Sequence, residues 1–214
     1  MCSSDLHEIR NPLSAISHAS ELLQEEPALD PSVSRLLRII HDNTQRLDRM
    51  VQDVLRLNRR DNAHVETFSA VAFLSVFVEE FCQIEKVAPD TIALVAADVQ
   101  GHAIRFDRSH LNQVMWNLAR NALRYCRRQP GSVRIEVGLD SGNPSRVRID
   151  VVDDGSGVPP EFRAHLFEPF FTTAANGTGL GLYIAREVCE ANGASLDHIE
   201  SENGCRFRIS CSTP

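Results

Sequence analysis

The sequence predicts an α+β protein in two parts, a helical hairpin followed by a layered domain of strands and helices. Three observations carry this expectation. Val33, Leu37, Ile40, Thr44, Leu47, Val51 and Val54 alternate steps of four and three, the heptad seam of helix packing. Residues 61–67, Asp-Asn-Ala-His-Val-Glu-Thr, are polar and end that period, which makes them the expected linker. Beyond them, residues 132–139 and 146–152 alternate apolar and polar side chains as half-buried strands do. The expected domains are residues 1–62 and 63–214.

In chain order, Ile9, Leu13, Ile16 and Leu23 share one side of a first helix. Pro27 and Pro31 stop it, and Ser32 is the candidate cap of the second helix. Two such helices bury their seams poorly alone, so a dimer making a four-helix bundle is expected. In the second part, residues 71–84 read as a helix and residues 91–96 and 103–106 as strands. Asp107 can cap a long helix reaching about Arg127. Residues 179–191 read as a helix, and residues 195–199 with 205–210 as a closing hairpin. Helices gathered on one face of a sheet satisfy this order.

Composition excludes several classes. Apolar residues make up 43% and charged residues 24%, enough for a packed core and unlike a disordered or collagen-like chain. The net charge is −7, which argues against a nucleic-acid partner. None of the six cysteines forms a C-x-x-C pair, so neither a zinc ribbon nor a thioredoxin-type site is expected, and scattered thiols suit a reducing compartment. No apolar run approaches the roughly 20 residues that span a bilayer. Residues 1–10 carry Asp5, His7, Glu8 and Arg10 where a leader would be apolar.

Two constellations carry chemistry. On the first helix, His7 lies about 160° from Ile9, on the side away from the apolar positions. It reads either as a solvated surface histidine or as a nucleophile. Glu8 is adjacent, Asn11 stands one turn on, and Pro12 removes a backbone hydrogen bond nearby. A carboxylate that holds one ring nitrogen leaves the other free to react. His7-Glu8-Ile9-Arg10-Asn11-Pro12-Leu13-Ser14-Ala15-Ile16 resembles the H-box of sensor histidine kinases. The resemblance implies autophosphorylation of His7 by ATP, with Glu8 as general base, and transfer to an Asp on a response regulator. The Glu8-x-x-Asn11 pattern resembles that of kinases which also dephosphorylate their regulator, Asn11 orienting water.

The second constellation falls in three pieces. Asn117, Asn121, Arg124 and Arg128 form a polar stripe within about 60° on the helix from Asp107. Paired amides beside cations suit a metal ion and phosphate, although an amphipathic surface helix gives the same stripe. Trp116 lies off it and reads as packing. Asp153 points inward with Val147, Ile149 and Val151 at the end of a strand, where an unpaired carboxylate is costly. An adenine amino group would satisfy it, and Gly155 and Gly157 would let backbone approach a flat base. Thr178-Gly179-Leu180-Gly181 precedes an apolar-periodic helix whose N-terminus can hold phosphate. Phe170 and Phe171 read equally as core or as part of a mobile cover.

These segments resemble further boxes of the same kinases: Asn117–Tyr125 the N-box, Asp153–Val158 the G1 box, Phe167–Thr173 the F-box and Thr178–Leu182 the G2 box. Their order resembles the family's, and His-Glu-Ile-Arg-Asn-Pro with Phe-Glu-Pro-Phe-Phe-Thr-Thr resembles the nitrogen-regulation and type IV pilus sensor group. The resemblance implies an α/β-sandwich ATP-binding domain of the histidine kinase (GHKL) type. Asn117 and Asn121 would hold Mg²⁺, Arg124 and Tyr125 would face phosphate, Asp153 would read adenine, and residues 167–181 would cover ATP. It also implies a homodimer, a response regulator receiver domain as partner, and a cytoplasmic core without membrane contact. Ala174 and Leu6 depart from the family pattern. Only six residues precede His7, so the chain is expected to be a catalytic-core fragment with its sensor, and any membrane anchor, upstream. Rival readings are a GHKL ATPase or serine kinase in which His7 is incidental, and a non-catalytic dimerisation module with a degraded nucleotide site.

Overall fold

The computed structural model describes residues 3–24, 30–58, 63–96, 103–140, 142–143, 145–174, 177–201 and 203–214, with side chains described from Asn11 in the first helix and up to Val54 in the second. The chain separates into two compact units, Met1–Arg59 with Glu168–Leu180, and Arg60–Phe167 with Gly181–Pro214.

The first unit is built on α1 (Ser3–Gln24) and α2 (Pro31–Asn58), packed along each other. Pro12 lies inside α1. The cap of α2 is Asp30, not the expected Ser32. Its Oδ1 accepts the Ser32 N–H at 2.8 Å, and its carbonyl accepts the Ser34 N–H at 3.0 Å. Pro31 then occupies the first helical position, where its missing N–H costs nothing. The α2 seam splits in two. Leu37 and Thr44 are buried, whereas Val33, Ile40 and Leu47 stay exposed beside Leu36 and Ile39. On α1, Ile16 and Leu23 are likewise exposed, and Ser20 is the buried side chain instead. Several of the apolar positions expected to share a core, Ile16, Leu23, Val33, Ile40 and Leu47, are therefore uncovered within one chain.

The second unit is a five-stranded sheet with helices on one face. Its strands are β2 (Ile92–Ala96), β4 (Val133–Leu139), β5 (Arg146–Asp153), β6 (Ser195–Ile199) and β7 (Arg206–Ser212), in the order β2-β4-β5-β7-β6. Only β2–β4 is parallel. A short ribbon pairs β1 (Glu66–Ser69) with β3 (Ala103–Phe106), so the expected linker ends inside a strand. Helices α3 (Ala70–Glu85), α4 (Arg108–Tyr125) and α6 (Gly181–Ala191) cover the sheet, and α5 (Pro160–Arg163) is one further turn. Alternation places Val133, Ile135 and Val137, with Ile149, Val151, Ile209 and Leu196, in the core against Leu74, Phe81, Leu118, Met115 and Ile184. Trp116 packs against Phe81, with ring centroids 4.8 Å apart, and so serves the core.

The opposite sheet face is charged. Asp150 has no exposed surface and accepts hydrogen bonds from Arg148, Arg206 and Arg208. Burial works against its charge, yet the bonds from Arg208 and Arg206 hold its carboxyl below the ordinary value. The cross-strand neighbours Asp150 and Arg208 account for the geometry.

The start of α4 is fixed by one carboxylate. Asp107 Oδ1 accepts the N–H groups of Ser109 (2.8 Å) and His110 (3.1 Å), and Oδ2 accepts that of His64 (2.7 Å). Asn192, just past α6, accepts the Asp107 N–H at 2.9 Å and lies 3.1 Å from His110 Nδ1. Burial opposes the charge of Asp107, but these bonds bring its carboxyl down to about 2. At its other end α4 stops at Tyr125, earlier than expected. Arg128 has φ 57° in the loop beyond and does not extend the polar stripe.

Candidate functional site

The helix α4 lays out the site along its length. Asn117 and Asn121 lie half-buried on one stripe, with Arg124 and Tyr125 exposed at the C-terminal end. Their apolar neighbours Val114, Leu118 and Ala122 sit in the core, so packing fixes which way the stripe faces. The Asn side chains project from a rigid element whose start is held by Asp107.

Asp153 stands at the end of β5, 5% exposed. Its N–H donates to the Cys205 carbonyl at 3.0 Å, and its Oδ1 accepts the Gly155 N–H at 2.9 Å. Burial raises its carboxyl above the ordinary value, against the pull of the Gly155 N–H. A carboxylate so placed gains from a donor arriving in the pocket, which lowers the cost of its charge. Gly155 is required by close approach: a Cβ there would stand 2.5 Å from the Tyr125 carbonyl oxygen and 2.8 Å from Asp153 Oδ1. The Asp153 turn is thus seated on the C-terminal end of α4. Gly157 follows against the Gly204 carbonyl. Burial, and then the charge of Asp153, push the Cys205 thiol up to about 12, so it remains protonated at neutral pH.

Gly181 opens α6 beside the other amide, a Cβ there standing 3.8 Å from Asn117 Oδ1. The helix begins at Gly181 rather than Gly179. The structure therefore brings together Asp153, Gly155, Gly157, Tyr125, Asn121, Asn117 and Gly181 within one unit. The chemistry is ordered from a buried carboxylate, through two amides, to a helix N-terminus, which suits an anion.

Asp154 was not among the expected site residues. Its Oδ1 accepts the Arg127 N–H at 2.9 Å and its Oδ2 the Ser132 hydroxyl at 2.9 Å. Its own N–H donates to the Ser132 carbonyl at 3.1 Å, so it ties the loop after α4 to the Asp153 turn. The Asp-Asp doublet was the available signal, because two adjacent carboxylates on a strand end face opposite ways.

The remaining expected residues lie in the helical unit. Phe170 is 63% exposed with φ 67°, which excludes the core reading, and its N–H donates to the Gly179 carbonyl at 3.0 Å. Gly179 has φ 71° and meets the Phe170 backbone so closely that a Cβ would stand 2.3 Å from its carbonyl carbon. Thr178 donates to Asp53 Oδ2 on α2 at 3.1 Å and accepts the Leu180 N–H at 3.3 Å. Leu180 is buried. The backbone around His7 and Glu8 is helical, whereas their side chains lie outside the described residues. Asn11 is exposed.

Two family profiles match the chain. Residues 106–214 match the histidine kinase-, DNA gyrase B- and HSP90-like ATPase, just over half of the sequence. The chain belongs to that family. Residues 6–63 match the His kinase A phospho-acceptor domain. The sensor protein kinase PilS of Pseudomonas aeruginosa is 42% identical over 212 residues, covering 97% of this chain and 39% of PilS. Sensor protein RstB of Escherichia coli is 30% identical, with 95% and 46% covered. The chain thus spans less than half the length of these relatives. Full-length ShkA, solved in complex with AMPPNP, shares the fold at a TM-score of 0.70 and 24% identity over 99% of this chain and 46% of that one. Among the described residues, no helix is long and apolar enough to cross a membrane.

Proposed function

We propose that this chain is the core of a sensor histidine kinase that uses Mg²⁺·ATP to phosphorylate His7 and passes the phosphoryl group to an Asp of a response regulator receiver domain. The observation that carries the reading is the order along α4. Asp153 suits adenine, Arg124 and Tyr125 suit contact with phosphate, and Asn117 with Gly181 suits the phosphates at the start of α6. The fold relative solved with AMPPNP supports the same ligand class.

The bond between the γ-phosphorus and the oxygen bridging to the β-phosphate breaks as a phosphorus–nitrogen bond forms at one imidazole nitrogen of His7. ADP leaves with the bonding pair, and Glu8 takes the imidazole proton. Holding the nucleotide in line and offsetting its charge supplies most of the catalysis. Asn117 and Asn121 fit Mg²⁺ as hard amide oxygens, the remaining ligands coming from phosphate and water; the ion would offset phosphate charge. Phe170, Thr178, Gly179 and Leu180 belong to the nucleotide cover. Exposed Asn11 suits a water-orienting role in dephosphorylating the regulator.

The uncovered row Val33, Leu36, Ile40 and Leu47 supports a homodimer through the hairpin. The functional domains are 1–62 and 63–214, working in the cytoplasm, with a membrane anchor, where present, in the sensor region upstream. Incubation with γ-labelled ATP is expected to give acid-labile label on the chain, lost in His7→Gln while ATP binding persists. Label that survives His7→Gln would overturn the role of His7.

A further inference from the structure

We propose that Gln113, one turn ahead of Asn117 on α4, contacts the terminal phosphate of the bound nucleotide and makes the site distinguish a triphosphate from a diphosphate. The inference rests on the nucleotide-binding reading above. It begins from two contacts that fix the direction of the ligand. The carboxylate of Asp153 meets α4 at Tyr125, through the close approach of Gly155. The first residue of α6, Gly181, meets α4 at Asn117, eight residues earlier. A nucleotide lying with its base at Asp153 and its phosphates at the helix N-terminus therefore runs toward the start of α4. At 1.5 Å of rise per residue, Asn117 lies about 12 Å back from Tyr125.

Gln113 is the next position on that stripe. It is rotated about 40° from Asn117 and lies about 6 Å further along the axis. It is half-buried like Asn117 and Asn121. Its amide nitrogen Nε2 is fully buried and has no hydrogen-bond partner. Buried donors are almost always met, and one left unmet is costly. An amide N–H has donors to offer and no charge to neutralise, so it suits an anionic oxygen that the metal does not take. At this end of the row the terminal phosphate supplies such oxygens, and a diphosphate ends before reaching it.

The test compares ATP and ADP binding to the whole chain, with Mg²⁺, by calorimetry. Gln113→Leu fills the space without the donor. It is expected to weaken ATP by about tenfold, the loss of one hydrogen bond to a charged group, and to leave ADP within about twofold. Gln113→Glu keeps the size and sets a carboxylate against the phosphate; it is expected to weaken ATP further than Leu does. A merely structural glutamine would move both nucleotides by the same factor. Equal changes for ATP and ADP, or tighter ATP in Gln113→Glu, would overturn the assignment, the latter because it would place the side chain at the cation. Should the unaltered chain bind neither nucleotide, the nucleotide reading itself falls and takes this one with it. If it binds both and Gln113→Leu does not separate them, only the role of Gln113 falls.

Discussion

The two units answer the same demand, to bury apolar side chains, with opposite completeness. In the sheet unit, Leu74, Phe81, Phe106, Leu118, Ile149 and Ile209 are fully buried. In the hairpin, Val33 is 39% exposed, Leu36 60%, Ile40 44% and Leu47 48%. A sheet with three helices closes around its own interior, whereas two antiparallel helices offer each other a single stripe. The sheet unit is therefore built to stand alone, and the hairpin has a face whose apolar content only another surface can cover. The same contrast holds for charge. Asp150 is enclosed by three arginines within its own unit, while the hairpin's capping carboxylate, Asp30, is open to solvent.

This contrast can be broken at either end. The largest expected effect comes from Ile40→Glu, which sets a charge in the uncovered row: sedimentation should report a dimer for the unaltered chain, as proposed above, and a monomer for the variant, with the sheet unit's melting unchanged. A dimer that persists would show that this row is not the interface. Next is Asp150→Ala, which leaves three guanidinium groups without their buried partner. It should cost about 3–5 kcal/mol in the denaturant unfolding of the sheet unit, and it should leave the dimer intact.

Smaller is Asp107→Ala, expected to cost about 1–2 kcal/mol through the lost cap. The acid limb tests its cause. The folded carboxyl sits at about 2, below its ordinary 3.8, so its contribution is complete above the ordinary value and lost as pH falls through about 2. The alanine variant should lack that part of the acid unfolding. Smallest, and opposite in sign, is Asp153→Asn. The folded carboxyl is raised, so its stabilising share exists at low pH and disappears as pH rises through the folded value. At neutral pH the charge is a burden, and the amide should stabilise the nucleotide-free chain by about 1 kcal/mol while ATP binding is lost. A variant that melts earlier would show that the carboxylate is already satisfied.

Much of this was legible in periodicity. Alternation along residues 132–139 and 146–152 announced two central strands, because a sheet with one charged and one apolar face writes both faces into its strands. The cap at Asp107 and the inward aim of Asp153 followed from the same rules. What stayed hidden depended on partners distant in sequence. The strand Glu66–Ser69 carries a polar composition and exists through its pairing with residues 103–106. The role of Asp154 depends on Ser132, and the bared row of α2 depends on which half of the heptad α1 takes. The left-handed Phe170 had no signal of its own, since only the crossing of Gly179 accounts for it.

One carboxylate holds both the leading end of α4 and the N–H of His64. The chain ahead of that residue is consequently leashed to the helix that displays the two amides. A tug transmitted down the polypeptide toward residue 64 would load the cap before it reached any strand of the large sheet, so the backbone upstream and the amide-bearing helix share a mechanical anchor point.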